Sequence, residues 1–244
     1  MRDLRQAAPT MSAVELVEAA LDDESVFKVV ISEFERRGDA APDLAAAERV
    51  ARAYDAGRVP AWLAAVLLGR VGHPAGCPAL LAIVRAGDEM ARGYVVEAFG
   101  RLAGEGPVDE LVALLRDGDS QRARSMAARS LAAVGARSAI PEVAASVRAG
   151  RIGFWAAREA LVGLGVEDER VAAWLRSDAR VDATLGCAVV FERLERQRAE
   201  KGSEGPSAAL GALVLTAIDA GTPSLLRHEE AALRSWAARV SGAT

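Results

Sequence analysis

The sequence predicts an all-α fold, a right-handed α-solenoid of about six antiparallel helix pairs. Three observations predict it. The first is a six-residue cassette ending in arginine. It reads Leu80-Leu81-Ala82-Ile83-Val84-Arg85, then Leu111-Val112-Ala113-Leu114-Leu115-Arg116, Val143-Ala144-Ala145-Ser146-Val147-Arg148 and Val171-Ala172-Ala173-Trp174-Leu175-Arg176. The arginines stand 31, 32 and 28 residues apart, and each precedes a turn signal at Gly87, Gly118, Gly150 or Asp178. The second is a companion motif upstream of each cassette: Leu68-Gly69-Arg70-Val71-Gly72, Phe99-Gly100-Arg101-Leu102-Ala103, Leu131-Ala132-Ala133-Val134-Gly135 and Leu161-Val162-Gly163-Leu164-Gly165. The third is composition: 51% hydrophobic residues with only 5% aromatics, dominated by strong helix formers and poor in strand formers. Self-similarity at this period marks a solenoid, because one such unit cannot bury its apolar face alone.

The elements follow in order along a single domain, 1–244. A leading helix is expected at about 12–22. The first pair, about 24–57, ends in a degraded cassette, Val50 to Gly57, with Asp55 where the inner copies have arginine. The second pair, about 58–87, has Gly72 and Gly87 as helix terminators, since glycine reaches the left-handed C′ conformation without strain. Pro78 opens its second helix, where the missing amide donor is no loss. Pro107 and Pro141 do the same in the third pair, about 88–118, and the fourth, about 119–150. Asp88 and Asp119 are their expected N-caps. The fifth pair, about 151–178, begins near Ile152.

The sixth pair, about 179–221, starts near Val181 and runs into the charged tract Glu192 to Lys201, read as a solvated helix extension. The loop Gly202-Ser203-Glu204-Gly205-Pro206 then delays a second degraded cassette, Val214 to Gly221, with Asp219 at the arginine position. A closing helix follows at about 223–240. Atypical end repeats suit a solenoid, whose terminal faces must meet water.

A net charge of −4 and a pI near 5.4 lack the basic footprint of a nucleic-acid binder. Cys77 and Cys187, 110 residues apart, suggest buried thiols rather than a disulfide framework or zinc site. The start of the chain shows no signal-peptide pattern. The longest apolar run, about Pro60 to Leu68, is nine residues, too short to span a bilayer. A cytoplasmic location is the expectation.

On a helical wheel with the cassette arginine at zero, the residues one, four and five positions earlier form the core stripe. The alanine three positions earlier falls on the opposite side, beside the arginine. Asp109 and Glu169, seven before the arginine, stand to neutralise part of that face.

The run Arg122-Ala123-Arg124-Ser125-Met126-Ala127-Ala128-Arg129-Ser130-Leu131-Ala132-Ala133-Val134-Gly135-Ala136-Arg137-Ser138-Ala139-Ile140-Pro141 resembles HEAT repeats of the short bacterial kind named after phycobilisome lyases. The likeness covers about 58–178. It implies a HEAT-like superhelix whose second helices line the concave surface. The implied partner-binding face is Ala82, Ala113, Ala145 and Ala173, edged by Arg85, Arg116, Arg148 and Arg176.

The function expected from this resemblance is non-catalytic protein–protein recognition on the concave face, by a scaffold or adaptor for a peptide or acidic protein segment. No cofactor, metal or nucleic acid is expected. A phycobilin (tetrapyrrole) lyase-type enzyme or chaperone is the alternative, with the arginines as propionate anchors. A HEAT-like DNA glycosylase, which would use Trp155, Glu159 and Arg158, is weaker given the acidic pI. Deoxyhypusine hydroxylase chemistry needs several His-Glu pairs, and this chain has only His73 and His228, with one His-Glu pair at His228-Glu229. Gly104-Glu105-Gly106 is a turn rather than a phosphate cradle.

Overall fold

A computed structural model describes residues 2–38, 42–102, 106–199, 205–221 and 223–241. Among them every regular element is helical, and the chain divides into two compact units, Met1–Val134 and Gly135–Thr244. The boundary lies in the turn that separates the two helices expected over 119–150.

In the first unit the helices are α1 Arg2–Ala7, α2 Ala13–Asp22, α3 Phe27–Arg37, α4 Leu44–Asp55, α5 Ala61–Val71, α6 Cys77–Ala86, α7 Arg92–Arg101, α8 Val108–Asp117 and α9 Gln121–Ala133. First helices α3, α5, α7 and α9 pack side by side in one layer. Second helices α4, α6 and α8 form the other, each joined across the layers to the next first helix. The second unit repeats this plan. Its helices are α10 Ile140–Arg148, α11 Phe154–Gly163, α12 Asp168–Leu175, α13 Arg180–Ala199, α14 Gly211–Asp219 and α15 Arg227–Ser241. There α11, α13 and α15 neighbour one another on one side, and α12 and α14 on the other.

Local chemistry sets the boundaries. Ser12 and Glu15 form a reciprocal capping box on α2, satisfying two amides that the helix leaves without partners. Left-handed glycines end helices or their turns at Gly57, Gly72, Gly87, Gly135, Gly150, Gly165 and Gly221. Pro78 and Pro141 occupy first turns as expected, and Pro107 sits one step earlier as the N-cap.

Two expectations are corrected, and one closing glycine works differently from the others. Asp88 does not cap α7; its carboxylate accepts from the Met90 amide in a local turn, and α7 starts only at Arg92. Asp119 gives way to Ser120, whose hydroxyl accepts from the Ala123 amide at 3.1 Å. Gly118 is not left-handed (φ −57°), yet a Cβ there would come within 2.6 Å of the Leu114 carbonyl oxygen. Glycine is needed at 118 for space rather than for dihedral freedom. Ala103, Gly104, Glu105, the end of the charged tract at Glu200 and Lys201, and the loop positions 202–204 lie outside the described residues.

The core stripe is wider than the wheel reading. Positions one, four and five before the arginine are buried, except half-buried Val112, but so is the position two before it: Ile83, Leu114, Ser146 and Trp174. A second helix meets its own first helix, the next one and the neighbouring second helix, so only a narrow arc faces water.

The charged tract of α13 is also corrected. It is tied down rather than merely solvated. Glu192 pairs with Arg158, Arg193 binds Asp168 and the Val166 carbonyl, and Arg196 donates to the Glu159 carbonyl at 3.2 Å. Leu194 between them is buried.

At the start of the first unit a polar clasp does comparable work. Buried Glu33 accepts from Arg36 at 2.9 and 2.7 Å and from Arg37 at 2.7 Å. Arg37 also donates to the carbonyls of Ala8 and Met11, both at 2.7 Å, fastening the preceding segment to α3. The hydrogen bonds from Arg36, then Arg37, outweigh burial and lower the Glu33 carboxyl to about 2.

Two predictions follow from this packing. At Gly69 a Cβ would stand 2.9 Å from the Ala98 backbone, whereas at Gly93 it would meet nothing within 4 Å. Gly69→Ala should therefore destabilise the protein by about 1–3 kcal/mol. Gly93→Ala, inside the same layer, should stabilise it by about 0.5–1 kcal/mol, both read by urea denaturation. The second concerns acid. Because the folded Glu33 value lies below its ordinary 4.5, its stabilisation is complete above 4.5 and declines as pH falls toward 2. Tm measured from pH 6 to pH 2 should drop less steeply in Glu33→Gln than in the parent.

Candidate functional site

The second helices place the cassette side chains by their period. Arg85, Arg116 and Arg148 lie in the last turns of α6, α8 and α10, and Arg176 is the C-cap of α12. All four are exposed, as are Ala113, Ala145 and Ala173; Ala82 is half-buried. The first unit holds Arg85 and Arg116 on neighbouring helices, and the second holds Arg148 and Arg176. A cation in a last turn is favoured by the unpaired carbonyls there, by about 0.3–1 kcal/mol.

The four arginines are not equivalent. Arg148 donates from Nε to Asp182 on α13 at 2.7 Å, and the Ser177 hydroxyl donates to the other oxygen of that carboxylate. Among the described residues no ion pair involves Arg85 or Arg176. Asp109 and Glu169 occupy the first turns of α8 and α12. Seven residues of helix put them about 10 Å from the arginines, one Debye length away, so they complement their own N-termini instead.

A second cluster, in the second unit, was only partly visible in the sequence. Arg158 on α11 is 4% exposed. Its Nη1 donates to Glu229 of α15 at 2.6 Å, and its Nε lies 3.3 Å from Glu192 of α13. Its guanidinium stacks over Trp155 at 4.2 Å and Phe191 at 5.1 Å. Trp155 is 59% exposed, whereas Trp174 is buried. The other Glu229 oxygen accepts from the Leu226 amide ahead of α15, and His228 packs edge-on against Phe191. The His228-Glu229 pair is thus structural. Its signal was there to be found: an acidic residue in the first turn of a closing helix, opposite an arginine on an apolar face.

This geometry bears on chemistry. A DNA-holding role would need the Arg158 guanidinium at the surface, where phosphate could reach it; it is instead consumed by two carboxylates. His73 serves as a local cap, accepting from the Ala75 amide at 3.1 Å. Cys187 is buried, which pushes its thiol up to about 12. Cys77 is half-buried, and burial followed by the nearby Glu110 charge raises its thiol as well, so neither is a ready nucleophile. Among the described residues no group of three His, Cys, Asp or Glu is placed to hold a metal ion, and no helix is long and apolar enough to cross a membrane.

A family model described as HEAT repeats matches residues 46–132 and again 77–162. The two windows begin 31 residues apart, the same interval that separates Arg85 from Arg116. This is a HEAT-repeat protein. Comparison with curated proteins and with solved structures gives no significant match. The HEAT windows run from α4 into α11, so Arg85, Arg116 and Arg148 fall inside them and Arg176 just beyond.

Within this HEAT array the Arg158 cluster sets a measurable energetic test. Arg158→Ala leaves Glu192 and Glu229 without their buried partner and should cost about 3–5 kcal/mol. The triple variant Arg158→Met, Glu192→Gln, Glu229→Gln should recover most of that loss in the same denaturation assay.

Proposed function

We propose that this HEAT-repeat protein is a non-catalytic binding module for an acidic peptide or protein segment, taken on the face of its second helices. HEAT repeats commonly mediate protein–protein interaction. The observation that supports the finer reading is the strip on those helices: alanine at each inner position, exposed at Ala113, Ala145 and Ala173 and half-buried at Ala82, with an exposed arginine one turn further on. Small side chains let a partner backbone approach closely. Arginine beside them supplies a planar, permanently charged fork suited to carboxylates. Helix propensity alone favours alanine on a solvated face, so the pairing of alanine with arginine in successive repeats, rather than the alanine by itself, motivates the reading.

The short bacterial repeat type and a cytoplasmic setting belong to the same proposal, as does a single continuous domain over 1–244. Arg85 and Arg176 carry the reading best, since Arg148 already has Asp182.

Charge reversal tests it. An array of synthetic Glu/Asp-rich peptides should be retained at low salt and released as salt rises. The double variant Arg85→Glu, Arg176→Glu should weaken retention at least tenfold with Tm within about 2 °C of the parent. Loss of Tm with unchanged retention would reduce these arginines to helix capping. A coloured chromophore copurifying from the native host would instead favour the tetrapyrrole-lyase alternative.

A further inference from the structure

The opposite layer of the first unit carries a different feature. First helices α3, α5 and α7 enclose a groove of about 220 Å³. Its floor is Ala65, Gly69 and Ala98, where α5 and α7 come so close that Gly69 has no room for a Cβ. Phe27 and Ile31 of α3 form one wall and Tyr94 of α7 the other. The walls are braced through Trp62: Phe27 meets it edge-on at 5.3 Å, and Tyr94 lies against it at 6.3 Å. Three aromatic rings on three successive repeats therefore meet beside the groove. Tyr94, on its wall, stays 44% exposed.

The rim has a charge of its own. Arg70 and Arg101 line the groove against a single carboxylate, Glu97. Arg70 is largely buried, with a side chain 17% exposed, while its partner Glu35, at 2.7 Å, is 53% exposed. Arg101 and Glu97 pair at 2.6 Å, both near the surface. An exposed pair such as Arg101–Glu97 contributes little net stability, so an incoming carboxylate can replace Glu97 at Arg101 at small cost, whereas the largely buried Arg70 stays with Glu35. The volume limits the occupant. Pockets for drug-sized ligands and cofactors span about 300–1,000 Å³, and this groove is nearer to one large side chain.

We infer that the groove is a second docking site, independent of the second-helix face, for a helical peptide segment. One large apolar side chain of the segment would fill the pocket, and a carboxylate one turn away would reach Arg101. The apolar anchor supplies burial at a preformed pocket, and the Arg101 guanidinium fixes its direction.

The probe is a fluorescein-labelled, alanine-rich helical peptide carrying Phe and Glu four residues apart. Fluorescence anisotropy against the full chain should give saturable binding. Binding should weaken at least tenfold when the peptide Phe becomes Ala, and at least threefold when its Glu becomes Gln. Tyr94→Ala should weaken it at least tenfold. Arg101→Glu should weaken the Glu peptide and rescue a Lys version. The Arg85→Glu, Arg176→Glu variant should bind as the parent does, which separates this site from the proposed acidic-segment face. No saturable binding up to millimolar peptide would overturn the inference. So would equal affinity for the Phe and Ala peptides, or displacement by free 3-phenylpropionate at concentrations equal to the peptide. If Tyr94→Ala fails to fold by circular dichroism, the Arg101→Glu and Lys-peptide swap decides alone.

Discussion

Close approach of successive first helices, made possible by small residues, is the constraint on which the remainder of this structure depends. A thirty-residue helix pair has more apolar surface than its own two helices can cover, so its stability resides in contact with the next pair. That contact is tightest at Gly69 against Ala98, where one added methyl has nowhere to go. In the second unit Gly186 makes room across the layers instead: a would-be Cβ on first helix α13 stands 2.9 Å from the Leu175 side chain of second helix α12. The groove beside Gly69 is a consequence of the same spacing, since two helices packed this closely leave the third, α3, to form a separate wall.

Charge is then distributed by what the packing leaves uncovered. Where an arginine cannot avoid burial it is surrounded by carboxylates, as Arg158 is by Glu192 and Glu229. Buried carboxylates follow the same rule in reverse, as Glu33 shows with Arg36 and Arg37. Such clusters are weak sources of net stability, because desolvation offsets most of the attraction. They do specify geometry. Arg158 reaches three successive first-layer helices, α11, α13 and α15, and supports the exposed ring of Trp155 from beneath.

Most of the repeat architecture was legible in the sequence because it rests on local rules. Apolar spacing, left-handed glycines and first-turn prolines each act within a few residues, and the helix pairs appear close to where those signals put them. The errors share a cause as well. Asp88 and Asp119 are chemically suitable caps, but which residue caps a helix depends on where the chain enters the turn, and Ser120 was better placed. The polar character of Glu192 to Arg198 suggested solvent. Its partners Arg158, Asp168 and Val166 lie 25 to 34 residues upstream, a distance that no periodicity reports. The aromatic groove was invisible for the same reason. Phe27, Trp62 and Tyr94 belong to three different repeats, and only stacking brings them together.

The charge at the end of each second helix shows how local preference and neighbour combine. An aspartate in a last turn is disfavoured by the carbonyls around it. Asp219 nevertheless occupies that position, and Arg234 of the following helix lies 2.5 Å from it. Arg148 is the mirror case, with Asp182 of α13, the third following helix, at 2.7 Å. At these two positions the charge on the cassette is matched by a side chain that the stack supplies, and its sign needs no further cause. Arg85 and Arg176 have no such ion pair among the described residues. Helix capping accounts for a positive sign there, and helix propensity for a small residue such as Ala173 beside it. The binding role proposed for this step therefore rests on the two recurring together through successive repeats, not on either residue alone.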